Sequence, residues 1–90
     1  MEDARKYEGT AELLKVIAHP VRICLIKGLM ESRCNVTHMQ ECLGLPQSTV
    51  SQHLSILRSK GIIKGERNGL EITYSVINED VKKVINALFD

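Results

Sequence analysis

Ser48, Gln52, Ser55 and Ser59 recur at the spacing of a single helix face, inside a stretch, residues 42–65, that holds no carboxylate. At about 100° per residue, Val50, Leu54 and Leu57 fall on the opposite side, at i, i+4 and i+7. The spacing therefore predicts a helix over about 47–60 with an apolar stripe and an outward face of short hydroxyls and an amide. Solvated helix faces ordinarily mix Glu with Lys. A face that excludes acids and offers small donors and acceptors suits contact with phosphates and base edges. The same pattern also fits an amphipathic core helix that is merely Ser-rich, because Ser and Gln have weak positional meaning.

The elements that would position this face follow from composition and patterning. Ninety residues, 43% hydrophobic and 26% charged, fit one small domain spanning 1–90. A chain this short buries only about 60% of its unfolded surface, so a partner subunit would add to its core. No run of about 18 apolar residues suggests a membrane span, and the charged start, Met1-Glu2-Asp3-Ala4-Arg5-Lys6, leads into no signal core. A cytoplasmic location is expected, in which the three cysteines are reduced thiols rather than a disulfide framework. The net charge is only +1. Its distribution is uneven: residues 1–46 sum to zero, residues 47–70 hold Arg58, Lys60, Lys64 and Arg67 against Glu66, and residues 71–90 are acidic on balance. Positive charge gathers where the polar helix face lies.

A first helix is expected over about 3–18, with Leu13, Leu14 and Ile17 as its stripe and Tyr7 and Ala11 extending it. His19-Pro20 interrupts it, because the residue before Pro avoids helical geometry and Pro suits a first helical turn. A second helix follows over about 20–32, stacking Val21, Leu25 and Leu29, with Cys24 and Gly28 beside the stripe and Cys24 expected inside. Asn35 can cap a short helix over 36–43, facing Val36, Met39 and Leu43 inward, and Gly44 ends it. Gly44-Leu45 then turns into the polar-faced helix, whose first turn Pro46 suits. Two helices joined by a Gly-containing turn make a helix-turn-helix pattern.

After Lys60-Gly61 the period drops to two. Strands are expected over 62–67 and 70–76, joined by Asn68-Gly69 with both turn residues at positive φ. Leu70, Ile72, Tyr74 and Val76 alternate with Glu71, Thr73 and Ser75. Lys64 and Arg67 would make this hairpin a basic wing able to lie along a phosphate backbone or in a minor groove, unless it is a plain edge hairpin with a soluble tip. Asn78 caps a last helix over about 79–89, with Glu79 and Asp80 in its first turn. Its apolar stripe, Val81, Val84, Ile85, Leu88 and Phe89, is large for the end of a small domain. Together with Leu14 and Ile17 of the first helix, Val81, Val84, Ile85 and Leu88 are the expected homodimer contacts.

The element order, with Ala18-His19-Pro20-Val21-Arg22, Gln47-Ser48-Thr49-Val50-Ser51-Gln52-His53-Leu54, Leu57-Arg58, Gly61-Ile62-Ile63 and Tyr74, resembles the ArsR/SmtB family over nearly the whole chain. The resemblance implies a mainly helical winged helix-turn-helix fold with a β-hairpin wing, in the order α-α-α-α-β-β-α. It further implies a transcriptional repressor that binds a palindromic double-stranded DNA operator as a homodimer. The family's DNA-contacting positions fall on Gln47, Ser48, Thr49, Ser51, Gln52 and His53, to which the outward face adds Ser55 and the wing adds Lys64 and Arg67. Ser48 and Gln52 are the first choices for base edges. His53 stands between a phosphate donor and a partly buried structural residue.

The family's sensing sites are where the chain departs from the pattern. Where metal-sensing members carry a Cys-x-Cys box, this sequence has Asn35 and Thr37, and its last helix has neither His nor Cys. No metal or other cofactor is therefore expected. His38 and Cys42, at i and i+4, could hold two corners of an atypical zinc site, but two ligands are not a site. A thiol switch built from Cys24, Cys34 and Cys42, responding to oxidants or persulfide, is the second sensing possibility, since Cys34 precedes a helix N-terminus that would favour thiolate. Enzymatic function is not expected: His19, His38 and His53 fall on separate elements, without a phosphate loop or a nucleophile with its base. A winged-helix protein-interaction module is the alternative of a different class, because the fold alone does not dictate DNA binding.

Overall fold

The computed structural model describes residues 3–31, 40, 41 and 43–89. Cys34, His38 and Cys42, and with them the two-ligand metal possibility and most of the helix expected over 36–43, lie outside the described residues. The first helical segment is divided into a 3-10 turn, Ala4–Tyr7, and α1, Glu8–Ile17. Of the expected stripe, Ile17 enters the core and Leu13 packs against it, while Leu14 and Tyr7 stay on the surface.

The corner into α2 (Pro20–Glu31) is built by His19. Its backbone carbonyl accepts the Ile23 N–H at 2.9 Å, and its ring Nδ1 accepts the Val21 N–H at 3.1 Å. The imidazole thus acts as an N-cap, a task more often given to Ser, Thr, Asp or Asn. Within α2 the buried residues are Leu25, Ile26 and Leu29. Ile26 swings the buried face away from the line through Val21, which corrects the expectation that Cys24 is interior. On a helical wheel Cys24 lies well over 90° from the centre of the buried face, and its thiol is exposed.

The polar-faced helix, α3, runs Gln47–Ser59, with Pro46 at the cap position just outside it. Val50, Leu54 and Leu57 are buried at or below 1% exposure. The helix ends in a Schellman motif: the Gly61 N–H donates to the Arg58 carbonyl at 3.0 Å and the Ile62 N–H to the Leu57 carbonyl at 3.0 Å. Gly61 supplies the left-handed conformation, φ +72°. Ile62 and Leu57 are both fully buried beside it.

The chain then forms an antiparallel hairpin of β1 (Ile63–Asn68) and β2 (Glu71–Val76). The expected turn is displaced by one residue, which shifts the strand pairing by two. Asn68 pairs with Glu71, so the turn residues are Gly69 and Leu70, and positive φ falls on Gly69 alone. Gly first in a two-residue loop is the pattern of a type II′ turn, not the I′ turn that Asn-Gly suggests. Leu70, expected in the apolar alternation, is fully exposed at the tip. At the hairpin base, the Ile62 carbonyl accepts the Ile77 N–H at 2.9 Å. Asn78 caps α4 (Glu79–Phe89), its Oδ1 accepting the Val81 N–H at 3.0 Å.

The core joins Ile17 of α1, the α2 and α3 stripes, Ile62, Ile63, Tyr74 and Val76 of the hairpin, and Val81 and Ile85 of α4. No helix among the described residues is long and apolar enough to cross a membrane. Because a Cβ at Gly61 would meet nothing within 4 Å, Gly61→Ala tests backbone conformation without a clash. It is expected to cost about 1–2 kcal/mol in urea unfolding, and Gly61→Asn less, since Asn visits the left-handed region more readily. Equal stability of all three proteins would refute the motif's role in joining α3 to the hairpin.

Candidate nucleic-acid interface

α3 divides its residues sharply. Opposite the buried Val50, Leu54 and Leu57, the side chains of Gln47, Ser48, Ser51, Gln52 and Ser55 are exposed, while Thr49 and His53 on the flank are half-buried. Ser59 donates its hydroxyl back to the Ile56 carbonyl at 2.8 Å, inside its own helix. The exposed set forms one contiguous face of neutral donors and acceptors. No side chain caps the start of α3, so the positive end of the helix dipole lies beside Gln47 and Ser48.

His53 faces the protein. Its Nδ1 accepts a hydrogen bond from Arg22 Nε at 3.2 Å, and its ring lies 4.7 Å from that of His19, centroid to centroid. Arg22 also donates from its guanidinium to the Val16 carbonyl at 2.9 Å. That carbonyl, near the end of α1, would in a continued helix accept from the residue four places on. This residue is Pro20, which has no N–H. Arg22 therefore supplies the donor that Pro20 lacks and connects the same point to the middle of α3. Although the Ala18–Arg22 segment stands out in the sequence, its role was not legible from periodicity. The signal was the Pro four residues after Val16, with a long donor two residues beyond it.

Burial holds the His53 pKa below the ordinary value of 6.5, helped by His19 and by the Arg22 charge. The neutral ring, with Nδ1 as acceptor and the proton on Nε2, is the form that the Arg22 contact requires.

Taken whole, the hairpin is neutral. Its fourteen residues, 63–76, hold Lys64 and Arg67 against Glu66 and Glu71, a sum of zero. Lys64 pairs with Glu66 at 3.2 Å. Register places Lys64 opposite Ser75 on one face and Arg67 opposite Ile72 on the other, so the two cations project from opposite faces of the hairpin. Most of the excess positive charge of residues 47–70 comes from the end of α3 and the residue after it. There Arg58 is exposed and Lys60 reaches Glu12 of α1 at 3.5 Å. Among the described residues, no group of three or more His, Cys, Asp or Glu is gathered as a metal ion would need.

Comparisons with known proteins agree with this architecture. The family model of bacterial regulatory proteins of the arsR family matches residues 19–64. The transcriptional repressor PagR of Bacillus anthracis is 48% identical over 82 residues, covering 90% of this chain and 82% of that protein. The PagR crystal structure aligns with a TM-score of 0.82 at 45% identity, over 96% of this chain and 99% of that one. The biofilm growth-associated repressor of Xylella fastidiosa is 37% identical over 89 residues, covering 98% of this chain and 78% of that protein. The crystal structure of NolR from Sinorhizobium fredii has a TM-score of 0.87 at 30% identity, covering 98% and 93% of the two chains.

The depressed His53 pKa has a defined sign. Below the ordinary value of 6.5 the unfolded chain takes up a proton at this site before the folded one does, so stability rises with pH across that window. The contribution is complete above about pH 6.5, is lost as pH falls, and levels off below the folded-state pKa. In His53→Asn, Oδ1 replaces Nδ1 as acceptor and cannot be protonated. Urea midpoints measured across this range should therefore fall less steeply with acid in the variant than in the wild type. Parallel curves would refute the assignment. With its helix-turn-helix frame, its hairpin wing and these likenesses, the chain belongs to the ArsR family of bacterial regulatory proteins, the winged helix-turn-helix transcriptional regulators.

Proposed function

We propose that residues 1–90 work as a single DNA-binding domain that represses transcription as a homodimer on a palindromic operator. The observation that carries this reading is the outward face of α3, free of acids and built from neutral donors, standing opposite its own buried stripe. Ser48 and Gln52 read base edges in the major groove, where Gln can pair in bidentate fashion with adenine. Gln47, Thr49, Ser51 and Ser55 contact the backbone around them, and Lys64 and Arg67 meet phosphates from the wing. His53 leaves the contact set and joins the support, because its ring is already engaged by Arg22.

The dimer contacts need revision from burial. Ile17, Val81 and Ile85 are at most 5% exposed within one protomer, so their surface is already used in its own core. Leu14 and Leu88, at 44% and 68% exposure, remain available, and Tyr7, seven residues before Leu14, and Phe89, next to Leu88, are exposed as well. The partly buried Val84 lies on the edge of this set. Two copies joined through these helices would set two α3 faces one helical turn of DNA apart, about 34 Å. The repressors PagR of B. anthracis and the biofilm growth-associated repressor of X. fastidiosa, both similar over most of their length, support the repressor reading.

Anisotropy titrations on an operator duplex test the assignment. Gln52→Ala should cost about 1–3 kcal/mol on the operator and little on unrelated DNA. Arg67→Ala should weaken both and lower the slope of log affinity against log salt by about 1. Lys64→Ala should change that slope less, because Glu66 already offsets its charge. Equal losses of Gln52→Ala on operator and random DNA would refute base reading. In sedimentation, Leu88→Glu should shift the protein to monomer, and an unchanged dimer would move the interface elsewhere.

A further inference from the structure

We propose that Arg22 is a positioning residue for operator recognition, tying the carboxyl end of α1 to His53 and so fixing the roll of α3 that presents Ser48 and Gln52. The inference rests on the DNA-binding reading above and adds to it a residue outside the contact face. Its basis is a single side chain with two partners on two other elements: Nε on His53 Nδ1 at 3.2 Å and a terminal nitrogen on the Val16 carbonyl at 2.9 Å.

The geometry constrains rotation in particular. The stripe of Val50, Leu54 and Leu57 holds α3 against the core, but apolar packing is non-directional. A helix seated only on such a stripe can roll by some degrees at little cost. His53 stands on the flank of α3, away from the helix axis, so a hydrogen bond to its ring resists roll more directly than any contact on the stripe. The other end of the tie is equally defined. The Val16 carbonyl has no competing amide from Pro20, and His19, whose ring lies against His53, has its own Nδ1 occupied by the Val21 N–H. Each end of the tie therefore has a defined partner, which is what a positioning contact needs. Lysine cannot substitute. It keeps the charge but lacks the planar fork that serves two acceptors at once.

The test uses a labelled duplex selected by the wild-type protein from a random-sequence pool, with the unselected pool as the comparison. Both are titrated by anisotropy over a range of salt with wild type, R22K, H53A, the R22K/H53A double variant and H53N, after circular dichroism has confirmed folding. R22K and H53A are each expected to lose about ten-fold on the selected duplex, the weight of one base contact. The double variant should lose no more than the larger single, since both break one tie. H53N, which restores an acceptor at the Nδ1 position, should recover most of the loss seen in H53A. Affinity for the random pool and the salt slope should stay at the wild-type values.

Additive losses in the double variant would overturn the proposal. So would a fall of about 1 in the salt slope of R22K, which would make Arg22 a phosphate contact. If R22K does not fold, H53A against H53N decides: a loss in H53A that H53N recovers supports the tie, and equal discrimination by the two overturns it. A wild-type protein that enriches no sequence from the pool removes the DNA-binding reading and this inference with it. Enrichment by the wild type with variants that discriminate equally well removes the inference alone.

Discussion

The structure turns on a missing amide proton. Pro20 starts α2 without an N–H, which leaves the Val16 carbonyl without its helical partner and forces the chain to turn between two helices. Three side-chain interactions settle that corner: the His19 ring caps α2, Arg22 reaches back to Val16, and the same guanidinium reaches His53 on α3. A partly buried carbonyl gains from a partner, so the arrangement has a local cause. Its consequence is long-range, since α1, α2 and α3 become linked at one point beside the core. The stripe residues supply most of the stability through burial, while this polar corner supplies direction.

Legibility in the sequence followed from how local the cause was. The α3 stripe, the Asn78 cap and the glycine after α3 each depend on neighbours within about one or two helical turns, and the chain spells them out. Cys24 was misplaced because the buried face of α2 depends on Ile26 meeting residues far away in sequence, which a stripe through Val21 could not foresee. The hairpin turn moved by one residue, and its pairing by two, because Asn-Gly admits more than one turn. Pairing of Asn68 with Glu71 leaves the exposed Leu70 at the tip and keeps Tyr74 and Val76 facing the core. A shift of two leaves every side chain on its own face, so what distinguishes this register is its cross-strand pairs, Val76 opposite the buried Ile63 and Tyr74 opposite Gly65. Counting charges along the sequence likewise missed that Lys64 and Glu66 share a strand face.

That neutral hairpin bears on how a chain of net charge +1 would recognise DNA. Phosphate neutralisation supplies non-specific affinity and grows with every Lys or Arg at the surface. Here the twelve Lys and Arg are nearly balanced by eleven acids, Lys64 and Lys60 are each paired with a carboxylate, and the proposed reading face carries no charge. A protomer of this kind would gain little affinity that is independent of sequence. Discrimination would then rest on hydrogen bonds from hydroxyls and amides, which are short-ranged and lose most of their value beyond about 3.5 Å. Such contacts are more sensitive to helix orientation than charge–phosphate attraction is. A weakly charged reader therefore depends more on a fixed presentation of its helix than a strongly basic one does. The Arg22 corner places a directional constraint on the element whose orientation matters most, and in the proposed dimer that constraint would act twice.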